Sequence, residues 1–286
     1  MADAGRVPVK ESVGAALQFL RADLRTSAML AIVGGLLLTL TGVAATLSPA
    51  LSMPLSLAST FVSAVIYAAF IGSALGAGGS QRWLPDGGRV WAAMAVVAFF
   101  LLIVFVVLGI PGVIIFAGMI APRYGAELEQ VSGDEAATLA LMQRILTENP
   151  GVVLGFCLVY GAIWLMLTSR LYLSAPASVD QRRILTFETW SWTKGSMLRI
   201  TVARLMLLAP AYVLVAAVSY ILAAALGVDV LDPTSLVSLA QNNLPGFVAF
   251  SFLSASLQIF VYRSLEAGLS AYLYQGLKPA DSAPPA

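Results

Sequence analysis

Apolar residues run almost unbroken through six stretches of the chain, at 29–47, 57–75, 91–115, 152–173, 202–226 and 247–271. A bilayer core takes about 20 apolar residues of helix, so each stretch is long enough to cross it. Ahead of the first, Val9, Val13, Ala16, Leu17, Leu20 and Leu24 recur at steps of three and four, while Lys10, Glu11, Gln18, Arg21, Asp23 and Arg25 fall on other faces. That period predicts an amphipathic helix, lying on the membrane surface or packed on a loop of the same protein. The apolar core and small-residue cleavage site of a signal peptide are not expected there. Between the third and fourth stretches, Ser132 and Glu135 have capping-box spacing before the stripe Leu139, Met142, Ile145 and Leu146. Asp232 followed by Pro233 opens another short helix through Leu239. The expected fold is all-α: a polytopic membrane protein of six transmembrane helices preceded by an amphipathic helix. It reads as a single integral membrane domain over 1–286, with a cytoplasmic amphipathic segment at 1–26 and a cytoplasmic tail at 275–286.

Composition agrees with lipid as the main solvent. Of 286 residues 59% are hydrophobic and 11% charged, with a mean hydropathy of +0.88. A soluble domain carries about 25% charged residues. Net charge is +1, so nucleic acid is not an expected partner, and charge matters by position. Arg6, Lys10, Arg21, Arg25, Arg82, Arg89, Arg182, Arg183, Lys194, Arg199 and Lys278 collect on one side of the six spans. The other side holds Arg123 and Arg144 against seven acids: Glu127, Glu129, Asp134, Glu135, Glu148, Asp229 and Asp232. The positive-inside rule then puts both termini in the cytoplasm.

Chemistry is sparse. The chain has no histidine and one cysteine, Cys157, so the commonest general base and any internal disulfide are excluded. "GAGGS" at 76–80 lacks the lysine of a phosphate loop, and Asp86 in "WLPDGGRVW" reads as a solvated turn residue. No catalytic residue, metal site or cofactor is expected. Ala64, Ala68, Gly72 and Gly76 form a small-residue ladder for helix packing, and Pro111 in "GIPG" and Pro210 in "LLAPAY" interrupt the third and fifth spans. On the sixth span Ser251, Ser254, Gln258, Tyr262, Glu266 and Ser270 make one polar stripe. Arg263 stands three residues before Glu266, close enough to pair at what reads as the cytoplasmic end of the helix. Tyr272 and Tyr274 fit an aromatic belt beyond it. Arg170 closes the fourth span and Arg204 opens the fifth, so Arg170, Arg204, Arg263 and Glu266 are candidate contacts for an anionic lipid headgroup or other ligand.

The loop after the fourth span reads "SRLYLSAPASVDQRRILTFETWSWTKGSMLRI". Ile184, Leu185, Phe187 and Trp190 supply an apolar face and Arg182, Arg183 and Lys194 a basic one, as in an interfacial helix closed by Gly195. Arg170, Ala175-Pro176, Trp190, Thr193, Lys194, Gly195 and Arg199, with "GIPG" and "AYLYQGL", resemble a pattern in bacterial membrane proteins. These are the membrane domain of membrane-anchored glycerophosphodiester phosphodiesterases and the related YciC-type inner-membrane proteins. Thr189 stands where that pattern usually has serine, and an acidic segment separates "GIPG" from the span bearing Arg170. The resemblance implies a six-span helical module. It implies no phosphodiesterase activity, which belongs to a separate histidine-using soluble domain. Two function classes follow. One is a non-enzymatic membrane protein that binds lipids, a partner membrane protein or a second copy of itself, and helps to organise the envelope. The other is a transporter or channel for a small solute or lipid that uses the polar stripe.

Overall fold

The structure is a computed structural model that describes residues 8–76, 82–131, 133–229 and 233–279. Arg6, Ser132, Asp232, most of "GAGGS" and the end of the tail lie outside the described residues. No strand occurs among those described, and six helices are long and apolar enough to cross a membrane. The chain is therefore a polytopic helical membrane protein. Its helices are α1 (Val9–Ala22), α2 (Leu24–Leu47), α3 (Ser52–Ala74), α4 (Trp83–Gln130), α5 (Glu135–Glu148) and α6 (Pro150–Arg170). They continue as α7 (Ser174–Asp180), α8 (Glu188–Trp192), α9 (Met197–Ala225), α10 (Pro233–Asn242), α11 (Leu244–Leu257) and α12 (Ser264–Leu277). The spans are α2, α3, α4, α6, α9 and the run α11–α12. The chain packs as two units, Met1–Ala95 with Ser169–Ala286, and Val96–Thr168.

In the first unit the amphipathic α1 packs on the protein itself. Ser12 and Ala16 are fully buried, and Phe19 and Ala16 lie so close to Gly268 of α12 that a Cβ there would sit 2.9 Å from the Phe19 ring. Its partners are the helices α12 and α9 and not a loop, and Leu17 stays exposed. The α1–α2 junction is Asp23, whose carboxylate accepts a hydrogen bond from Ser73 Oγ near the end of α3. One level of the bundle is thereby set by two spans at once.

The close helix contacts use glycines other than the expected ladder. A Cβ on Gly35 would collide with Ser256 Oγ, and one on Gly34 with the side chains of Ile66 and Ile259. Spans one and six approach there because both positions lack a side chain. Ala64 and Ala68 are buried as the ladder requires, but a Cβ at Gly72 or Gly76 would meet only open space. Gly76 instead follows the end of α3 with φ +66°, a left-handed terminus. "WLPDGGRVW" is also not a turn. It is the first turns of α4, with Asp86 buried and paired to Arg89, and Gly87 against the Val65 backbone.

The second unit corrects the reading of the third span. α4 is 48 residues long and runs through Pro111 and Pro122 without a break, about 72 Å of helix. Gly112 leaves a slot that Tyr160 Oη fills, and that hydroxyl donates to the Leu108 carbonyl at 3.0 Å. The carbonyl that loses its amide to Pro111 is that of Val107, and the Tyr160 hydroxyl caps the next one along the helix. Beyond Pro122, Tyr124 donates to Glu148 at 2.7 Å, Arg123 reaches Glu148 at 3.3 Å, and Arg144 pairs with Glu127 over a core of Ile120, Tyr124, Leu141 and Ile145. That hydrogen bond and charge raise the Arg144 guanidinium above its ordinary pKa. The cap of α5 is Asp134, accepting from the Ala137 amide at 3.0 Å.

The notch on span one yields a test. Gly35→Ala should destabilise the detergent-solubilised protein by about 1–3 kcal/mol, as overpacking does. Ser256 Oγ is buried with no hydrogen-bond partner among the described residues, so Ser256→Ala alone should be near neutral. In the Ser256→Ala background the Gly35→Ala cost should fall by about half, read as a coupling in thermal unfolding. Additive effects would remove the contact.

Candidate functional site

From Gln258 to Arg263 the sixth span is wound as a π-helix between α11 and α12. A π turn holds about one residue more than an α turn, so side chains beyond it are rotated relative to those before it. Ile259 is 3% exposed and points into the bundle, whereas Gln258 is exposed. Ser251, Ser254 and Tyr262 are half-buried, and the Tyr262 ring meets Tyr212 edge-on at 6.5 Å. The polar stripe expected from α-helical spacing is thus broken at Gln258, because the spacing itself changes there.

Arg263 Nη1 and Glu266 Oε2 are 2.8 Å apart, with side chains 28% and 15% exposed. The pair does not end the helix. All 14 residues of α12 follow Arg263, and most of those from Ser264 to Tyr274 are buried among protein. Tyr274 is fully buried and donates to Asp180 at 2.7 Å, so it belongs to the core and not to an aromatic belt. Around the pair stand tyrosines that the sequence pattern does not single out. The Arg263 guanidinium lies 5.8 Å from the Tyr67 ring centroid, and Tyr67 Oη donates to Ser270 Oγ at 3.2 Å. Tyr172 Oη donates to the Glu266 carbonyl at 3.2 Å. Arg204 stacks 4.6 Å from the Tyr172 ring and donates to Ser169 Oγ at 2.8 Å, a hydroxyl that also accepts from Thr201. Arg204, Arg263 and Glu266 are all near enough to Tyr67 and Tyr262 to act on both electrostatically. The available signal is Tyr67 itself, a phenol in the middle of the apolar run "SAVIYAAF".

Beside Arg263 a crevice of about 110 Å³ opens among α2, α3 and the π turn, lined by Leu38, Ser63, Ile66, Gln258, Ile259 and Arg263. Ser63 precedes Ser73 by ten residues of α3. The crevice therefore reaches about 15 Å into the bundle from the Asp23–Ser73 level. By contrast, the grooves of about 460 and 570 Å³ within the second unit are lined by apolar side chains with Tyr160. Among the described residues no acidic, cysteine or histidine cluster could hold a metal.

Arg170 stands apart from this cluster. Its guanidinium lies 5.5 Å from the Trp190 ring and 3.4 Å from the Trp190 carbonyl, and its own carbonyl accepts from Thr193. It braces the loop that follows. That loop is not one interfacial helix: residues 181–187 turn irregularly, and α8 has only five residues. Leu185 is fully buried, its amide held by Ser178 Oγ at 3.0 Å, so it leaves the expected apolar face. Arg182, Arg183 and Lys194 remain exposed beside Ile184, Phe187 and Leu198, which are 52%, 47% and 65% exposed. Gly195, at φ +88°, makes the left-handed turn into α9.

Fold and site define a multi-pass membrane protein with a tyrosine-lined ion pair inside its first unit. Compared with family models, curated proteins and solved structures, the chain finds no match in any of the three.

The ion pair should be costly to halve. Arg263→Gln strands the Glu266 carboxylate and should destabilise by about 3–5 kcal/mol, whereas the double variant Arg263→Gln with Glu266→Gln, which removes both charges together, should cost clearly less. Unfolding of these two variants and of Glu266→Gln alone, in detergent, measures this. A double-variant loss equal to the sum of the two single losses would mean that the groups act independently.

Proposed function

We propose that the protein is a non-enzymatic multi-spanning protein of the bacterial inner membrane that binds anionic lipid at its cytoplasmic edge and helps to organise the envelope. The observation that carries this reading is the surface of the loop before α9. Exposed Arg182, Arg183 and Lys194 there alternate with exposed Ile184 and Phe187, and exposed Leu198 follows in the first turn of α9. Cations beside apolar side chains suit the headgroup boundary of an anionic leaflet, where each Lys or Arg contributes about 1 kcal/mol. The positive-inside distribution favours a cytoplasmic position for that surface, α1 and both termini. The likeness of this loop to the membrane domain of membrane-anchored phosphodiesterases and YciC-type proteins supports a module that works in the membrane itself. The resemblance says nothing of an added activity.

A second reading, transport of a small solute or lipid, draws on one observation. The crevice at Ser63, Gln258 and Arg263 lies deeper than the helix end that the sequence suggests for the charge pair, and transporter sites lie near mid-membrane.

Replacing Arg182, Arg183 and Lys194 together by Gln should weaken anionic-lipid binding by about 2–3 kcal/mol, roughly 30- to 150-fold, with zwitterionic lipid unaffected. Native mass spectrometry of the purified protein with each lipid reads it directly. Unchanged retention of anionic lipid would defeat the reading.

For orientation, cysteines placed at Gly133 and Ser282 in a Cys157→Ser background should label from opposite faces of the membrane, Ser282 from the cytoplasm. Labelling of both from outside would invert the scheme.

A further inference from the structure

The crevice at the π turn offers chemistry that the loop surface does not need. We propose that it is a binding site for one small oxyanion of single negative charge: the phosphate of a lipid headgroup or free phosphate. Four features of the geometry converge on this.

The first is chemistry. Arg263 supplies a guanidinium, Ser63 a hydroxyl and Gln258 an amide, three donor types facing one space. Glu266 engages Arg263 through Nη1, and a guanidinium carries five N–H donors in a planar fork suited to oxyanions. The second is size. At about 110 Å³ the crevice holds the equivalent of about three or four waters. A whole solute needs roughly 300 Å³ or more, so a single ionic group enters and the rest of its molecule stays outside. The third is charge. The Glu266 carboxylate, 2.8 Å from Arg263, opposes a doubly charged ion, and Arg263 is the cation in the lining. A monoanion fits that balance. The fourth is the backbone. The π-helix spans Gln258 to Arg263, and both of its end residues line the crevice. Such turns inside α-helices are rare and concentrate at functional sites. Here the extra residue is what turns Ile259 inward and leaves Gln258 at the crevice mouth, next to Arg263.

The test uses the full-length protein in non-ionic detergent, at a pH below the second pKa of phosphate so that the monoanion predominates, titrated with inorganic phosphate and, separately, with short-chain phosphatidylglycerol, reading the thermal unfolding midpoint. The informative variant is Ser63→Ala with Gln258→Ala, which leaves the Arg263–Glu266 pair in place. Its apparent Kd for the active probe should rise at least about tenfold, the loss expected for hydrogen bonds to a charged group. Ser63→Leu, which fills the space, should abolish the response. A response to phosphate supports the free ion as occupant. A response to phosphatidylglycerol alone supports the headgroup. No midpoint shift with either probe in the unmodified protein overturns the site, and so does an equal shift in the double alanine variant. The triple variant Arg182→Gln, Arg183→Gln and Lys194→Gln should retain the response, so the failure of this site and of the loop surface are separately visible.

Discussion

A guanidinium and a carboxylate placed inside a membrane helix must find each other, and Arg263 and Glu266 do so at 2.8 Å. Hydrocarbon offers no water to take either charge, so the pair constrains everything around it. The Tyr67 ring backs the guanidinium, Tyr172 reaches the Glu266 carbonyl, and Ser270 takes the Tyr67 hydroxyl. Segments that share little sequence pattern are tied to one point by these groups. Since the net worth of a buried pair is small or negative against an apolar replacement, its presence argues for specificity or function above stability.

Glycine does the complementary work on the apolar side. Gly34 and Gly35 bring span one onto Ile259 and Ser256, and Gly268 admits Phe19 and Ala16 of α1. The α1–α2 arm therefore runs along the sixth span on both sides of the π turn. Asp23, at the break between α1 and α2, adds the bond to Ser73. The N-terminal amphipathic helix is amphipathic because it has the rest of this unit to cover, with Leu17 still exposed at 39%.

The spans are legible in the sequence because hydrocarbon thickness imposes a length, and length is read directly from the apolar run. The amphipathic α1, the left-handed Gly195 and the short helix from Pro233 are legible for similarly local reasons. The failures share a cause too. Continuity through Pro111, burial of Asp86 and the placement of Leu185 all depend on what lies across from the residue. "GIPG" looks like a break until Tyr160 is seen filling the space above Gly112. The site is half legible: the spacing of Arg263 and Glu266 predicts their pairing, but nothing local says that α12 continues past them or that Ser63 faces the same space. Arg170 carries the same charge as Arg204 at nearly the same level of the chain's pattern, and Trp190 draws it to a structural task.

The π turn follows from two sets of contacts that are out of phase. Before it, Ser256 must face Gly35, and Ile259 near its start must face Gly34. After it, Glu266 must reach Arg263 while Gly268 faces α1 and Ser270 faces Tyr67. One residue of α-helix turns the chain by about 100°, so an unbroken α-helix that satisfied the first set would carry the second off its partners. A one-residue expansion between Gln258 and Arg263 restores both. Substitution cannot easily remove such a turn, because it belongs to the spacing between two fixed contacts and not to any side chain within it. The widened backbone then lies where the charged pair already is, and its two end residues, Gln258 and Arg263, line the polar crevice with Ser63.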